Sequence, residues 1–174
     1  MKIKKSIQKA MEKFQVKELR KTQIKPINDI LDGKDVIVVA PTSSGKSLIY
    51  QLPASIRKNE LTLVLEPTKA LMHDQVRKLK NLGIHAAYID STMSDKEIER
   101  TLEDVRKGKI QILYLTPERL YTKAFQHAIE KQSIYMIVVD ECHCVLEWGD
   151  NFVRDISRSV YSLHLCRSVL SWQR

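Results

Sequence analysis

Val36-Ile37-Val38-Val39-Ala40-Pro41-Thr42-Ser43-Ser44-Gly45-Lys46-Ser47-Leu48-Ile49-Tyr50 is a run of branched apolar residues that empties into a glycine-containing loop and restarts in a helical pattern. Branched side chains favour the pleated backbone, so the first residues read as a short buried strand. Gly45 lets the chain turn so that successive N–H groups, with those of Thr42, Ser43 and Ser44, converge on phosphate oxygens. Lys46 adds a flexible ammonium for β- and γ-phosphates, and Ser47 a hydroxyl for Mg²⁺. A helix opening near Ser47 aims the positive end of its dipole at the same point. The simpler alternative is an ordinary serine-glycine turn. Strand, loop and helix in this order favour a nucleoside triphosphate.

A second stretch completes the pattern. Tyr135-Met136-Ile137-Val138-Val139-Asp140-Glu141 is a buried parallel strand by its apolar run, ending in two carboxylates at the edge where such sheets bind ligands. Asp140 is suited to hold Mg²⁺, usually through its waters, and Glu141 to orient and polarise the attacking water. Solvated acids at a strand end are common, and the upstream loop is what favours chemistry. ATP and Mg²⁺ are therefore the expected cofactors.

Composition bounds the rest. With 174 residues the chain is expected to form one domain with a real core. A formal charge of +8, with 29 Lys and Arg spread along the chain, suits a polyanionic partner such as nucleic acid. Cys142, Cys144 and Cys166 make neither a disulfide framework nor a four-ligand zinc pattern. No run of apolar residues approaches a membrane span, and the amphipathic N-terminus lacks a signal-peptide core. The expectation is an intracellular chain (cytoplasmic if bacterial, nuclear if eukaryotic) with no membrane partner and no sign of an oligomer.

Strands and helices alternate, which argues for an α/β fold with a mainly parallel sheet flanked by helices. Helices are expected over 22–31, from Ser47 to Ile56, over 68–82 closed by Gly83, and from the capping box Ser94-Asp95-Lys96-Glu97 to Lys107, closed by Gly108. Strands are expected over 36–40, 61–65, 86–89, 111–115 and 134–139, with a short helix beginning at Thr116-Pro117.

These motifs together resemble the RecQ-like DNA helicases of helicase superfamily 2, from about Phe14 to Phe152. Leu19-Arg20-Lys21-Thr22-Gln23 is similar to the family's adenine-recognition motif, which implies that Arg20 and Gln23 serve the base. Ser47-Leu48-Ile49-Tyr50-Gln51-Leu52-Pro53 matches the continuation of the phosphate loop. Glu66-Pro67-Thr68-Lys69 through Val76, and Leu115-Thr116-Pro117-Glu118-Arg119-Leu120, resemble loops that grip the nucleic-acid backbone, which implies DNA contacts at Thr68, Lys69, Thr116 and Arg119. His143 through Phe152 is similar to the family's aromatic-rich loop, implying that Trp148 and Phe152 stack on unpaired bases and that His143 couples the two sites. The implied fold is a RecA-like P-loop NTPase lobe, and the implied partner is single-stranded or forked DNA, unwound three-prime to five-prime by the whole protein.

The sequence departs from the family at Val16, where an aromatic commonly packs on adenine, at Asp150, and at Val153-Arg154. After about Asp155 the resemblance stops. Residues 1–155 are expected to form the first motor lobe, and 156–174 a divergent tail, truncated or frame-shifted. The strand that should lie between the phosphate-loop strand and the acidic strand is then expected to be missing, as is a second motor lobe. The competing readings are an RNA helicase of the same superfamily and a nucleic-acid-binding fragment without catalysis.

Overall fold

The apolar runs over 61–65, 112–115 and 134–139 form strands with both faces covered. The computed structural model describes residues 4–41, 44–140 and 167–172. Its elements run α1 (Lys5–Lys13), α2 (Lys21–Leu31), β1 (Val36–Val39), α3 (Lys46–Ser55), β2 (Leu61–Leu65), α4 (Lys69–Asn81), β3 (Ala86–Ile89) and α5 (Asp95–Arg106). They continue with β4 (Ile112–Leu115), a 3₁₀ turn (Pro117–Tyr121), α6 (Lys123–Ile129), β5 (Ile134–Val139) and β6 (Arg167–Trp172). The six strands form one sheet in the order β1-β6-β5-β2-β4-β3, and every pairing is parallel.

Parallel strands need helical crossovers, and those crossovers cover the sheet on both sides. Every residue of β2, β4 and β5 is accordingly buried. Alternation along the strands sends Val64, Tyr114, Met136 and Val138 to one face, where Ile7, Ile27, Ile30, Tyr50, Leu52, Met72 and Leu79 of α1 to α4 pack. Leu63, Leu65, Leu113, Leu115, Ile137 and Val139 face the other way, against Leu102, Val105, Phe125 and Ala128 of α5 and α6. The result is a three-layer α/β/α arrangement.

Local chemistry sets the element ends. Ser94 Oγ accepts from Glu97 N–H while the Glu97 carboxylate accepts from Ser94 N–H at 2.8 Å, the reciprocal capping box expected at the start of α5. Gly83 and Gly108 take positive φ where α4 and α5 stop. The N-terminal segment, legible in sequence only as amphipathic, forms α1 and buries Ile7 completely.

One expectation is overturned. The position between β1 and β5 is filled by β6, with Val169 in register with Val36 on one side and Val138 on the other. Backbone donors and acceptors in the middle of a sheet must be paired, and β6 supplies partners to both neighbours. Val169-Leu170-Ser171-Trp172 stands near the place in the chain where such a strand is expected but carries no recognisable motif, and its backbone pairing identifies it.

Phe125→Ala should lower unfolding free energy by about 3–5 kcal/mol through loss of buried surface and an unfilled cavity. Ser94→Ala should cost only about 1 kcal/mol, the usual worth of a cap. Urea titrations of the two variants beside the parent measure both, and a Phe125 variant of parental stability would contradict the packing described.

Candidate nucleotide site and nucleic-acid face

Because all six strands point the same way, the loops after their C-terminal ends share one edge. The loop from β1 to α3 reaches that edge first. Gly45 sits at the N-cap of α3 with φ 78° and ψ 32°, a left-handed conformation that a side chain resists. A Cβ there would lie 2.6 Å from Gln23 Nε2. The next residue, Lys46, opens α3 and carries its Nζ into a buried position with no hydrogen-bond partner among the described residues. Ser44 Oγ is buried and unpartnered in the same way. A buried ammonium without a counter-charge is costly, and at a helix N-terminus the missing partner is an anion. The loop thus fits a phosphate chain.

Asp140 lies at the end of β5, only 5% exposed, with its N–H on Leu65 O at 3.0 Å. Its carboxylate accepts from Tyr50 Oη at 3.4 Å. Tyr50 belongs to α3, so the helix that the loop opens also touches the strand-end acid. Tyr50 Oη lies 3.3 Å from Tyr114 Oη, and Gln51 Nε2 donates to Tyr114 Oη at 2.8 Å and to Gln75 Oε1 at 2.9 Å. Gln75 Nε2 donates in turn to Ser47 Oγ at 3.3 Å. Burial pushes both phenols well above the ordinary tyrosine range, and the neighbouring Asp140 carboxylate adds to the shift, so both stay protonated. None of Tyr50, Gln51, Gln75 and Tyr114 stands out in the sequence as a site residue. The spacing of Ser47, Tyr50 and Gln51 on one helical face was the available signal.

Gln23, expected to serve the adenine, is engaged by protein groups. Its Nε2 donates to Gly45 O at 3.0 Å and Ser44 O at 3.4 Å, while Arg20 N–H donates to its Oε1 at 2.9 Å. The amide is 4% exposed and engaged at both ends. It clamps the loop to the start of α2. Arg20, at the N-cap of α2, is exposed. Val16 is half-buried against the α1–α4 core.

Of the sequence-predicted DNA contacts, Thr68, Lys69, Thr116 and Arg119 lie toward the same edge with different exposures. Thr68 and Lys69 are exposed at the start of α4, and Lys69 Nζ bonds Ser91 Oγ. Arg119 is half-buried and donates to Asp90 O at 3.1 Å. Thr116 is 4% exposed and its hydroxyl donates to Glu118 at 2.7 Å, so it braces the turn after β4 from within. Asp90, fully buried at the end of β3, accepts from Thr92 N–H and hydroxyl and pairs with His73 at 2.6 Å. Burial raises its pKa, but the Thr92 and His73 hydrogen bonds outweigh that and hold the carboxyl below its usual value. Thr42, Ser43, Glu141, His143, Trp148 and Phe152 lie outside the described residues. No helix among the described residues is long and apolar enough to cross a membrane.

Residues 20–171 match the DEAD/DEAH box helicase family. The chain belongs to that family. The match runs past Asp155 and through most of β6, beyond the point where motifs are legible. Relatives within it include the ATP-dependent DNA helicase RecQ of Haemophilus influenzae, 37% identical over 139 residues that cover 80% of this chain and 22% of that one. The putative ATP-dependent DNA helicase Q1 of Caenorhabditis briggsae is 38% identical over 152 residues, covering 83% and 24%. The RecQ resemblance read from the motifs is thereby borne out, and the chain spans about a quarter of the length of these curated relatives. Among solved structures, the DUF1998 helicase MrfA bound to DNA superposes with TM-score 0.78 at 25% identity, over 98% of this chain and 25% of that one. A hypothetical ATP-dependent RNA helicase from Sulfolobus tokodaii gives TM-score 0.73 at 23% identity, over 97% and 50%, and shares the fold.

Gly45→Ala should destabilise the chain by about 1–2 kcal/mol from backbone strain alone, with the clash against Gln23 added. Adding Gln23→Ala should return the clash component and leave the strain, a non-additivity that thermal unfolding of the three variants would reveal. The lowered pKa of Asp90 contributes stability that is present above the unfolded carboxylate value of about 4 and lost as pH falls through the folded value. Asp90→Asn should therefore flatten the fall in stability on acidification below about pH 4, and equal slopes in both proteins would refute this.

Proposed function

We propose that this chain is the nucleotide-binding motor lobe of a RecQ-type ATP-dependent DNA helicase, residues 1–155 carrying its nucleotide and nucleic-acid segments. The observation that carries the reading is the buried Lys46 Nζ at the mouth of α3, without a hydrogen-bond partner among the described residues, with Asp140 tied to the same helix through Tyr50. Lys46 would neutralise the β- and γ-phosphates, while backbone N–H groups of Thr42 through Lys46 and the α3 dipole bind them. Ser47 and Asp140 are the groups for Mg²⁺, the latter through water. One carboxylate with substrate phosphates is the ordinary environment of that ion. Magnesium would draw charge off the leaving phosphate, and Glu141 would orient the attacking water.

Arg20 would flank the adenine. Gln23 would read its edge only after releasing Ser44 and Gly45, so base recognition and loop conformation are coupled through one amide. Thr68, Lys69 and Arg119 would hold the phosphodiester backbone, with Thr116 supporting the turn that carries Arg119. Trp148 and Phe152 would stack on unpaired bases, and His143 would link that loop to the acidic pair. The DNA-helicase relatives and the basic charge support DNA as the partner. Translocation takes two lobes closing on ATP, and the second brings arginines worth about 10³–10⁵ in rate where measured. The 174-residue chain alone is thus expected to bind ATP and DNA, hydrolyse slowly and unwind nothing.

Binding of a fluorescent ATP analogue to the purified chain should require Mg²⁺ for full affinity and fall at least tenfold in Lys46→Ala. Anisotropy with labelled single strands should show tighter binding to DNA than to RNA of the same sequence. Unchanged nucleotide affinity in the lysine variant would sink the site assignment, and a preference for RNA would move the chain to the RNA branch of the superfamily.

A further inference from the structure

The side chains assigned to magnesium, Ser47 and Asp140, stand on different elements, one at the start of α3 and the other at the end of β5. A polar path joins them through the interior. Gln75 of α4 donates to Ser47 Oγ, Gln51 of α3 donates to Gln75 Oε1 and to Tyr114 Oη of β4, the two phenols meet, and Tyr50 donates to Asp140 Oδ2. Tyr50 is 1% exposed, Tyr114 fully buried and Gln51 5% exposed.

We propose that Tyr50 and Gln75 are positioning residues that set the Ser47 hydroxyl and the Asp140 carboxylate for a divalent cation through this chain of hydrogen bonds. The proposal rests on the nucleotide reading above. Its physical basis is the direction of donation. Asp140 Oδ2 accepts, so the Tyr50 hydrogen points at it, and the Tyr114 hydrogen must then point at Tyr50. Gln51 has already given its two N–H groups, one to Tyr114 and one to Gln75. The carbonyl of Gln75 is thereby fixed as acceptor, which turns its NH₂ toward Ser47. From Asp140 to Gln75 each amide and hydroxyl orientation follows from its neighbour's. With Gln75 on one lone pair, Ser47 Oγ keeps the other for a cation.

Packing alone does not call for this arrangement. Phe in place of Tyr50 and Tyr114 would fill nearly the same volume without burying two hydroxyls, and burying polar groups is favourable only when they are satisfied. Four elements (α3, α4, β4 and β5) contribute to the path, and each holds its ends in a fixed relation to the sheet edge. Groups that orient metal-binding side chains in this way typically change metal affinity by about 10–100-fold when removed.

The test uses the whole chain, a fluorescent ATP analogue and a titration of Mg²⁺ against the same protein in EDTA. Tyr50→Phe keeps the ring and deletes the donor to Asp140; Gln75→Ala, at a half-buried helix position, deletes the donor to Ser47. Each should raise the Mg²⁺ concentration needed for half-maximal binding by about tenfold. Affinity in EDTA, which depends on Lys46, should stay at the parental value. Parental Mg²⁺ dependence in both variants would overturn the proposal, as would losses of equal size with and without Mg²⁺, which mark a purely structural role. A parental chain whose nucleotide binding ignores Mg²⁺ would overturn this proposal and the nucleotide reading together, whereas a failure confined to the variants overturns this one alone.

Discussion

A sheet whose strands all run one way delivers every strand-end loop to a single edge, and the rest of the molecule follows from that constraint. The phosphate-type loop after β1, Pro67-Thr68 after β2, Asp90 after β3, Thr116 after β4 and Asp140 after β5 are scattered over a hundred residues. They come to lie along one edge because each crossover helix returns the chain to the opposite end before the next strand begins. An antiparallel pairing at any step would have sent one of these loops to the far side. The parallel order in turn demands helices on both faces, which is why β2, β4 and β5 are buried on both sides and why the core divides into two clusters.

Against this apolar background the polar interior of the site is the exception that needs explaining. Tyr50, Tyr114, Gln51, Gln75 and Asp140 occupy space that aliphatic side chains would fill without having to satisfy buried hydroxyls and amides. They are tolerated because each is matched by a partner, and the matching leaves little freedom in how the site groups point. Lys46 is the complement of that rule. Its ammonium is buried and unmatched among the described residues, and an anion there would complete it.

Gln23 and Asp90 show the same economy at the rim. Gln23 satisfies its own amide by clamping the carbonyls of the loop and completing the first turn of α2. Gly45 is required there both for its positive φ and because a Cβ would meet that amide. Asp90 gathers Thr92, His73 and, through its carbonyl, Arg119, so the loop after β3, helix α4 and the turn after β4 are tied together near exposed Thr68 and Lys69. Rigid support under a cationic surface suits the grip of a backbone whose contacts carry no sequence information.

The order of strands and helices, the capping box at Ser94, the glycine stops at Gly83 and Gly108, and the two motif-bearing strands at 36–39 and 134–139 were all determined by local sequence. Each depends on periodicity, a cap or backbone freedom within a few residues. The site was legible to the same extent, at Gly45, Lys46, Ser47 and Asp140, because phosphate and metal chemistry demand particular side chains at set spacings. Tertiary structure alone decided the rest. It placed Arg167–Trp172 between β1 and β5, since a central strand is chosen by the partners available on both sides and needs no motif. It turned Thr116 inward and Gln23 onto the loop, and it joined Ser47 to Asp140 through side chains from four elements. Side-chain direction and hydrogen-bond partnership are properties of neighbours brought together by packing, and no window along the chain contains them.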